Sequence, residues 1–444
     1  MKTFRLIPLL AALGAALALP VQAQSLVSLY ESARGFDASY QSAKSQFDAT
    51  LAKAAQAKAA ILPSANLALG VSRSNQEFTP GGGNTSSSAY GTQTATVSAS
   101  QPLYRPGNWA SYQQGQKQTG LAQAQLAAAD QDLIVRVSQG YFDVLAAQDS
   151  LTFVKAQKAA VAEQLASAKR NFEVGTSTIT DTREAQARFD LVTAQEIAAE
   201  NDLRVKKIGL DQLVGQNDTQ PHALTQPLAL PALLPNDVNA WVAQSENSHP
   251  NLQQSRIALD VAQLETQKAQ AGHKPTLDLT ASYSKIDNQN GTSSPGSTSS
   301  NVNAGSIGLA FNLPLFAGFS TQNRIKETLA LEDKARNDLE GVQRAIAQAT
   351  RTAFFGVLSG QGQVSAFEAA EASSQSALDA NKLGYQVGVR INIDVLNSQS
   401  QLYDTKAKLA KARYDVLLGG LKLRQANGTL KAEDLQSVNT LLVK

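Results

Sequence analysis

Two short stretches of the chain repeat one pattern and hold polar side chains suited to specific contacts. Residues 171–181 read NFEVGTSTITD and residues 384–394 read GYQVGVRINID. Each has an aromatic residue, then Val-Gly, then an Asp six residues after the Gly. The second copy sets a phenol, a guanidinium and a carboxylate within ten residues, from Tyr385, Arg390 and Asp394. These groups donate and accept hydrogen bonds and form ion pairs, so the pattern predicts specific polar contacts.

The remainder of the sequence lacks the residues that a reaction centre needs. It has no Cys, and its three histidines, at positions 222, 249 and 273, lie far apart without metal-ligand spacing. No nucleophile elbow or phosphate-binding loop occurs, and the GGG at 81–83 does not open a helix. We therefore predict that the protein is not an enzyme and uses no metal or other cofactor.

The first 23 residues have the three parts of a secretory signal peptide. Lys2 and Arg5 form a basic start, the apolar run that follows is too short to span a membrane, and VQA at 21–23 is a cleavage site. The whole chain has 39 basic and 37 acidic residues, so the exported form without Lys2 and Arg5 is formally neutral. A nucleic-acid-binding protein would show a basic excess, and no nucleic-acid partner is predicted.

The exported sequence aligns with itself throughout, as an internal two-fold repeat. Pro63 matches Pro275 at a shift of 212, whereas Asp181 matches Asp394 at a shift of 213. No Pro lies between positions 106 and 221 or after position 314, and these two stretches are rich in strong helix formers. Each half is predicted to read helix, strand pair, long helix, tip turn and return helix. The predicted segments are a first repeat at 24–215, a Pro-rich joint at 216–237, a second repeat at 238–427 and a C-terminal segment at 428–444.

Two pairs of segments have the two-residue period that is typical of half-buried strands. In LPSANLALGVS, apolar side chains alternate with small or polar ones, and KPTLDLTASYS repeats this alternation. The predicted strands are about 63–73, 92–104, 275–285 and 305–316, and polar loops at 74–91 and 285–305 join the two pairs. Loops so rich in Gly, Ser and Asn cannot pack a core, and we expect them at the cell exterior.

Strands of about ten residues with one apolar and one polar face fit a tilted outer-membrane β-barrel. Four strands cannot close such a barrel, because the smallest have about eight, so the chain is predicted to oligomerise. The long helices are predicted to close a second cylinder by coiled-coil-like packing. An extracellular coiled-coil adhesin or structural protein is the alternative, and it would not need strands that face lipid.

The sequence resembles the TolC family of outer-membrane efflux proteins over essentially its whole exported length. The stretches that carry the resemblance are HKPTLDLTAS (273–282), NLPLFAGF (312–319), FEVGTSTITD (172–181), GYQVGVRINIDVL (384–396) and AKARYDVLLGGLKLRQANGTL (410–430). The resemblance implies an α+β membrane protein, a homotrimer whose twelve-stranded outer-membrane β-barrel is continuous with an α-helical periplasmic tunnel. It also implies an equatorial band, to which residues of about 214–240 and 428–444 contribute.

The function that the resemblance implies is an exit duct for drug efflux, type I protein secretion or both. The duct would open at its periplasmic end when a periplasmic adaptor and an inner-membrane pump or ABC transporter dock. The implied location is the outer membrane of a Gram-negative bacterium, in contact with its lipid. Nothing in the sequence distinguishes small-molecule cargo from protein cargo.

In this family the doubled pattern lies at the periplasmic tip of the tunnel. Gly175 and Gly388 are expected to let the chain reverse direction between helices. Thr180 or Asp181 is then expected to cap the return helix, and Asp181 with Glu184 has the spacing of a capping box.

The resemblance further assigns a latch and a charged ring to these tips. The expected latch joins neighbouring coiled coils through four residues, namely Thr180, Asp181, Tyr385 and Arg390. Asp394 is expected to line the pore in a three-fold acidic ring, which would attract cations at a constriction. Similar proteins often have a second Asp one turn further on, where this chain has Asn397, so the ring is expected to be one carboxylate deep.

Overall fold

The computed structural model describes residues 24–79, 81–83, 85–225, 227–228, 230–294 and 296–443, so the predicted signal peptide lies outside the described residues. The strands are β1 (Ser64–Phe78), β2 (Ser86–Tyr104), β3 (Thr276–Gln289) and β4 (Ser300–Asn312). The helices are α1 (Leu26–Phe36), α2 (Ala38–Ala59), α3 (Pro106–Glu173), α4 (Ile179–Val214), α5 (Val238–Ser248), α6 (Pro250–Gln270), α7 (Ser320–Gln386), α8 (Asn392–Ala426) and α9 (Asp434–Asn439).

Helices α3 and α7 are the longest elements, with 68 and 67 residues. At a rise of 1.5 Å per residue each is about 100 Å long. Pro106 is the first residue of α3, where its missing N–H is not needed, and no Pro follows within either helix. Each helix ends just before a Gly of the doubled pattern, as the sequence predicts. None of the helices in the described part of the chain combines the length and hydropathy needed to cross a membrane.

The four strands form one antiparallel sheet in the order β1-β2-β3-β4, so β1 and β4 are its two edges. The register sorts side chains as the alternation predicts. One row across the first three strands is apolar, with Leu67 opposite Val97 and Val97 opposite Tyr283. The next row is polar, and it runs through Asn66, Ser98, Ser282 and Ser306. Opposed residues in a sheet point to the same face, so one face is apolar and the other is hydroxyl-rich.

The predicted strand bounds are wrong at the outer ends. β1 continues to Phe78 and β2 begins at Ser86, so most of the predicted loop 74–91 is paired strand. β3 and β4 likewise extend into the predicted loop 285–305, and β4 ends at Asn312 and not at 316. The reason is that main-chain hydrogen bonds extend the ladder through polar residues, as where Gln76 pairs with Ser88, and no apolar alternation marks them.

The chain divides into two compact units, and each contains segments of both repeats. The first unit comprises the described residues up to 44, residues 126–250 and those from 343 onward, and it holds both tip turns. The second comprises 45–125 and 251–342 and holds the sheet.

The largest core of the first unit joins parts of the chain that are remote in sequence. Leu26 of α1, Ile134 of α3, Leu417 of α8 and Leu435 of α9 are all fully or almost fully buried in it. The Pro-rich joint reaches the C-terminal segment, because Leu224 forms an antiparallel bridge with Leu442. Burial of this apolar surface, at about 25 cal/mol per Å², stabilises the middle of the long helices.

Candidate functional site

The candidate site consists of the two tip turns, α3–α4 and α7–α8, which reverse the chain in the same way. Gly175 has φ 79° and Gly388 has φ 81°, in the left-handed region that favours Gly. In the first turn the N–H of Gly175 donates to the carbonyl of Phe172, and the N–H of Thr176 donates to the carbonyl of Asn171. These two bonds form a Schellman motif, which satisfies carbonyls at a helix end. The second turn repeats both bonds 213 residues later.

The first turn is followed by a capped helix, and the cap is not the predicted one. The N-cap of α4 is Thr178, whose Oγ1 accepts a 3.2 Å hydrogen bond from the Asp181 N–H. The Asp181 carboxylate in turn accepts from the N–H of Thr178 at 3.0 Å, which completes a capping box. The prediction that Thr180 or Asp181 caps this helix, with Glu184 in the box, is therefore wrong. The helix begins earlier than expected, which places Asp181 in its first turn.

Three donors from two residues surround the Asp181 carboxylate. Besides the Thr178 N–H, the hydroxyls of Thr178 and Ser177 donate to it at 2.8 and 2.9 Å. Burial raises the pKa of this carboxyl and the hydrogen bonds from Thr178 and Ser177 lower it, leaving the pKa below its ordinary value of 3.8. Because the pKa of Asp181 is lower in the folded state than in the unfolded chain, the charged cap stabilises the folded state fully above pH 3.8. This stabilisation is lost as the pH falls through the folded-state pKa.

The second turn has no such cap. The N-cap of α8 is Ile391, which aligns with Thr178 and has no side-chain acceptor. Asp394 is the acidic residue of the first helical turn, and its carboxylate lies 3.7 Å from an Nη of Arg390. Arg390 occupies the position of Ser177 and is exposed. The carboxylate that the first copy uses in a cap is thus left partly exposed and paired with a cation in the second.

Gly384 makes room for that cation. A Cβ on Gly384 would lie 2.6 Å from the Cγ of Arg390, so a side chain here would displace the arginine stem. The first copy has Asn171 at this position. The second copy is therefore adapted to hold a long basic side chain against its turn.

Tyr385 joins the two tip turns of one chain. Its hydroxyl accepts a 3.2 Å hydrogen bond from Nδ2 of Asn171, at the end of α3. The ring is half-buried against a small cluster of Leu378, Val395 and Leu402. Its polar partner within the chain is thus an amide of the first copy and not Asp181 or Thr180.

A second polar link lies beside the Tyr385–Asn171 hydrogen bond, at a residue that was not predicted from the sequence. Asn392, the first residue of α8, is completely buried. Its Nδ2 donates to the carbonyl of Asp181 at 3.3 Å, and its Oδ1 accepts from Nε2 of Gln164. Asn392 aligns with the exposed Ile179 of the first copy. This replacement of an apolar residue by an amide was the one sign in the sequence that position 392 makes a specific polar contact.

Three amides in the last third of α3 donate to the second hairpin and are spaced seven residues apart. Gln157, Gln164 and Asn171 are the three donors, and their partners are Ser400, Asn392 and Tyr385. A spacing of seven returns to the same helix face, so the three form one stripe. This stripe, which we call the amide seam, was visible in the sequence only as a heptad of amides among many other Gln residues.

The structure therefore brings together some of the predicted site residues. Arg390 and Asp394 pair with each other, and Gly175 and Gly388 make matching turns. Within the described part of the chain, no hydrogen bond or ion pair joins Tyr385 or Arg390 to the side chains of Thr180 or Asp181, and the exposed Thr180 hydroxyl has no hydrogen-bond partner there. The predicted latch between neighbouring coiled coils is thus not formed inside one chain.

Comparison with known proteins gives one family. The model of the family described as outer membrane efflux protein matches residues 29–216 and 241–429, which are the two repeats. The outer membrane protein TolC of Vibrio cholerae is 35% identical over 437 residues, which cover 98% of each chain. The proteases secretion protein PrtF of Dickeya chrysanthemi is 29% identical, covering 94% of this chain and 91% of the relative.

Solved structures agree on the fold. The crystal structure of the outer membrane protein VceC from Vibrio cholerae has a TM-score of 0.76 at 20% identity, covering 91% of this chain and 96% of VceC. The alternative of an extracellular coiled-coil adhesin is set aside by the family match, which spans both repeats, and the family is one of transport proteins and not of enzymes. The chain is therefore a member of the TolC family of outer-membrane efflux proteins, and the resemblance noted in its sequence is confirmed.

Proposed function

We propose that three copies of this chain form one channel, whose periplasmic mouth is closed at rest by contacts between tip turns. As a member of its family the chain is an outer-membrane exit duct, with a helical tunnel in the periplasm. The trimer, the latch, the acidic ring and the docking partners are the finer parts of the proposal.

The observation that carries the trimer is the four-stranded sheet with two unpaired edges. β1 and β4 each leave one side of their main chain without a partner strand in the described chain. Such edges must be paired within the membrane, where no water is present to hydrogen-bond the exposed N–H and C=O groups. Pairing β4 of one copy with β1 of the next closes a barrel of twelve strands from three copies, and one copy alone is below the minimum of about eight.

The proposal for the mouth rests on the unequal tip turns. Arg390 is exposed, and among the described residues only a 3.7 Å contact with Asp394 holds its head group. It is therefore free to reach Thr180 or Asp181 of a neighbouring copy. Tyr385, which bonds with Asn171 of the amide seam, holds the second turn in place meanwhile. When Arg390 is engaged there, three Asp394 carboxylates remain to line the constriction as a ring that attracts cations.

The partners follow from the relatives. PrtF is named as a secretion protein for proteases, and TolC and VceC are named as outer-membrane proteins. We propose that a periplasmic adaptor with an inner-membrane pump or ABC transporter docks on the tips and breaks the latch. In this proposal the cargo is chosen by the pump.

The trimer is tested by paired cysteines, since the natural chain has none. One Cys replaces Leu67 on β1 and the other is moved along β4 through positions 305, 307, 309 and 311. The expected product of oxidation is a covalent trimer at one of these registers. Val97→Cys with Tyr283→Cys is the control, since these residues face each other within one chain and should give only an internal disulfide. Covalent dimers or hexamers without trimers would contradict the proposal.

A further inference from the structure

The second compact unit contains a cavity where its strands give way to helices. Its volume is about 440 Å³, within the range of about 300–1,000 Å³ that is typical of small-molecule sites. The end of β2 and the first turns of α3 form most of the wall, and Ile61, Gln267 and Lys274 complete it. No part of the tip turns is involved.

The cavity continues the apolar face of the sheet. Tyr104 lines it, and Tyr104 pairs with Leu277, which in turn pairs with Phe311 on the same face. Trp109 also lines it, with 53% of its surface exposed and its ring 5.6 Å from that of Tyr112. Since the strands cross the outer membrane and the helices extend into the periplasm, this junction lies at the periplasmic surface of the membrane. Trp and Tyr concentrate at such boundaries because one end of the ring is apolar and the other can hydrogen-bond.

The charged groups of the wall are cations. Its residues include two cations, Arg105 and Lys274, and no carboxylate. Arg105 is held in place by a bidentate contact with Asp278, at 2.7 and 2.6 Å. Among the residues that the structure describes, neither the Lys274 ammonium nor the Trp109 indole N–H has a hydrogen-bond or ion-pair partner. An apolar cavity with two unused donors and a net positive wall fits a ligand with an apolar body and an anionic head.

We propose that this cavity binds one phospholipid of the periplasmic leaflet, with its phosphate at Lys274 and an acyl chain against Trp109 and Leu103. Basic side chains at a membrane surface attract anionic head groups, so an anionic phospholipid such as phosphatidylglycerol is favoured. The site is distinct from the mouth of the duct, and it ties the strand–helix junction to the membrane without taking part in transport.

The test uses lipid with brominated acyl chains, which quench Trp fluorescence at short range. The chain has two Trp, and Trp241→Phe leaves Trp109 as the reporter. Trimers of this variant are placed in phosphatidylcholine vesicles that contain a small, equal fraction of brominated phosphatidylglycerol or brominated phosphatidylcholine. Phosphatidylglycerol should quench about fivefold more efficiently, the factor that one basic residue near the membrane surface supplies.

Two matched variants test whether Lys274 causes the preference for phosphatidylglycerol. Lys274→Gln should remove it, whereas Lys268→Gln should keep it, because Lys268 is on the same segment but does not line the cavity. If Trp241→Phe fails to fold, counting of phosphatidylglycerol adducts on the natural trimer by native mass spectrometry, with and without Lys274→Gln, replaces the optical measurement. Single-channel conductance should be unchanged by Lys274→Gln.

Three results would overturn the proposal. Equal quenching by both lipids, unaffected by Lys274→Gln, would mean ordinary contact with bulk lipid. No quenching by either lipid would mean that a neighbouring copy covers Trp109. Full displacement of brominated phosphatidylglycerol by inorganic phosphate, at matched ionic strength, would mean that the cavity holds free phosphate.

Discussion

The two tip turns have the same backbone but use their aligned carboxylates differently. In the first, Thr178 caps α4 and Asp181 is drawn into the cap by three hydrogen bonds. In the second, Ile391 stands where Thr178 stands, and Asp394 keeps a partly exposed carboxylate near Arg390. One difference in side-chain chemistry at the N-cap therefore decides whether the aligned Asp is drawn into the cap or left partly exposed beside a cation.

This difference between Asp181 and Asp394 shows how the two copies of a duplicated hairpin can have different roles. The first copy is locally self-sufficient, since its polar groups satisfy one another. The second copy leaves its cation and carboxylate available and instead fixes itself to the first through Tyr385 and Asn392. The stability of one turn thus supports the exposed charges of the other.

The double variant Tyr385→Phe, Arg390→Ser should have the largest effect. Both changes remove polar contacts but leave the turn glycines, and each contact is worth about 1 kcal/mol. Lost from three copies together, they should open the mouth and raise single-channel conductance in planar bilayers several-fold. The matched control changes the aligned first-copy residues, as Phe172→Leu with Ser177→Ala, and should leave conductance close to that of the natural protein. Equal conductance in both variants would mean that the two copies do not differ in closure.

Asp394→Ala should change ion selectivity and leave closure largely intact. In the proposed trimer it deletes three ring charges, and each would attract a unit positive charge at 4 Å by about 1 kcal/mol even in water. Block by a trivalent cation should weaken by more than about tenfold, because a factor of ten needs a loss of only about 1.4 kcal/mol of binding free energy. The reversal potential in a salt gradient should shift towards anions. Asp181→Ala, the aligned control, should loosen the first turn and weaken the proposed latch, which raises conductance, but it should keep the block by trivalent cations because the Asp394 charges remain. Equal loss of cation block in both variants would mean that Asp181 also contributes charge to the pore, in spite of its role in the cap.

Thr178→Ala should destabilise the start of α4 by about 1 kcal/mol, the usual cost of losing an N-cap. Hydrogen exchange followed by mass spectrometry should show faster exchange of the amides at 179–182, by about fivefold. Thr180→Ala is the control, because the Thr180 hydroxyl is exposed and should matter little to the fold. Faster exchange in the Thr180 variant than in the Thr178 variant would restore the cap predicted from sequence.

Ile391→Thr should convert the second turn towards the first, with the smallest effect of the four. The new hydroxyl can cap α8 and draw Asp394 into a capping box, which stabilises the helix start by up to about 1 kcal/mol. Cation selectivity should then fall modestly, although no charge is removed. Ile391→Val has nearly the same shape as the Thr variant and cannot cap, so it should keep the natural selectivity. A loss of selectivity in both would assign the effect to shape and not to the cap.

Elements with a local cause could be predicted from the amino-acid sequence. The turn glycines follow from the need for positive φ, the long helices from stretches without Pro, and the two faces of the sheet from the alternation around Leu67 and Tyr283. The family resemblance, carried by motifs in both repeats, supplied the duct and its location. The capping box was also readable, since Thr178 and Asp181 have its spacing, but it was missed because the helix was expected to begin later.

Contacts between segments that are remote in sequence could not be predicted, because they depend on how the helices pack in three dimensions. Tyr385 bonds with Asn171 and Asn392 is buried against Gln164, because α3 and α8 run side by side at that point. An amide can serve as a donor, as an acceptor or as a solvated surface residue, so its type does not identify its partner. The strand ends were hidden for a similar reason, since main-chain pairing extends β1 to Phe78 through residues whose side chains carry no strand pattern. Only the three-dimensional arrangement selects among partners that are chemically equivalent in the sequence.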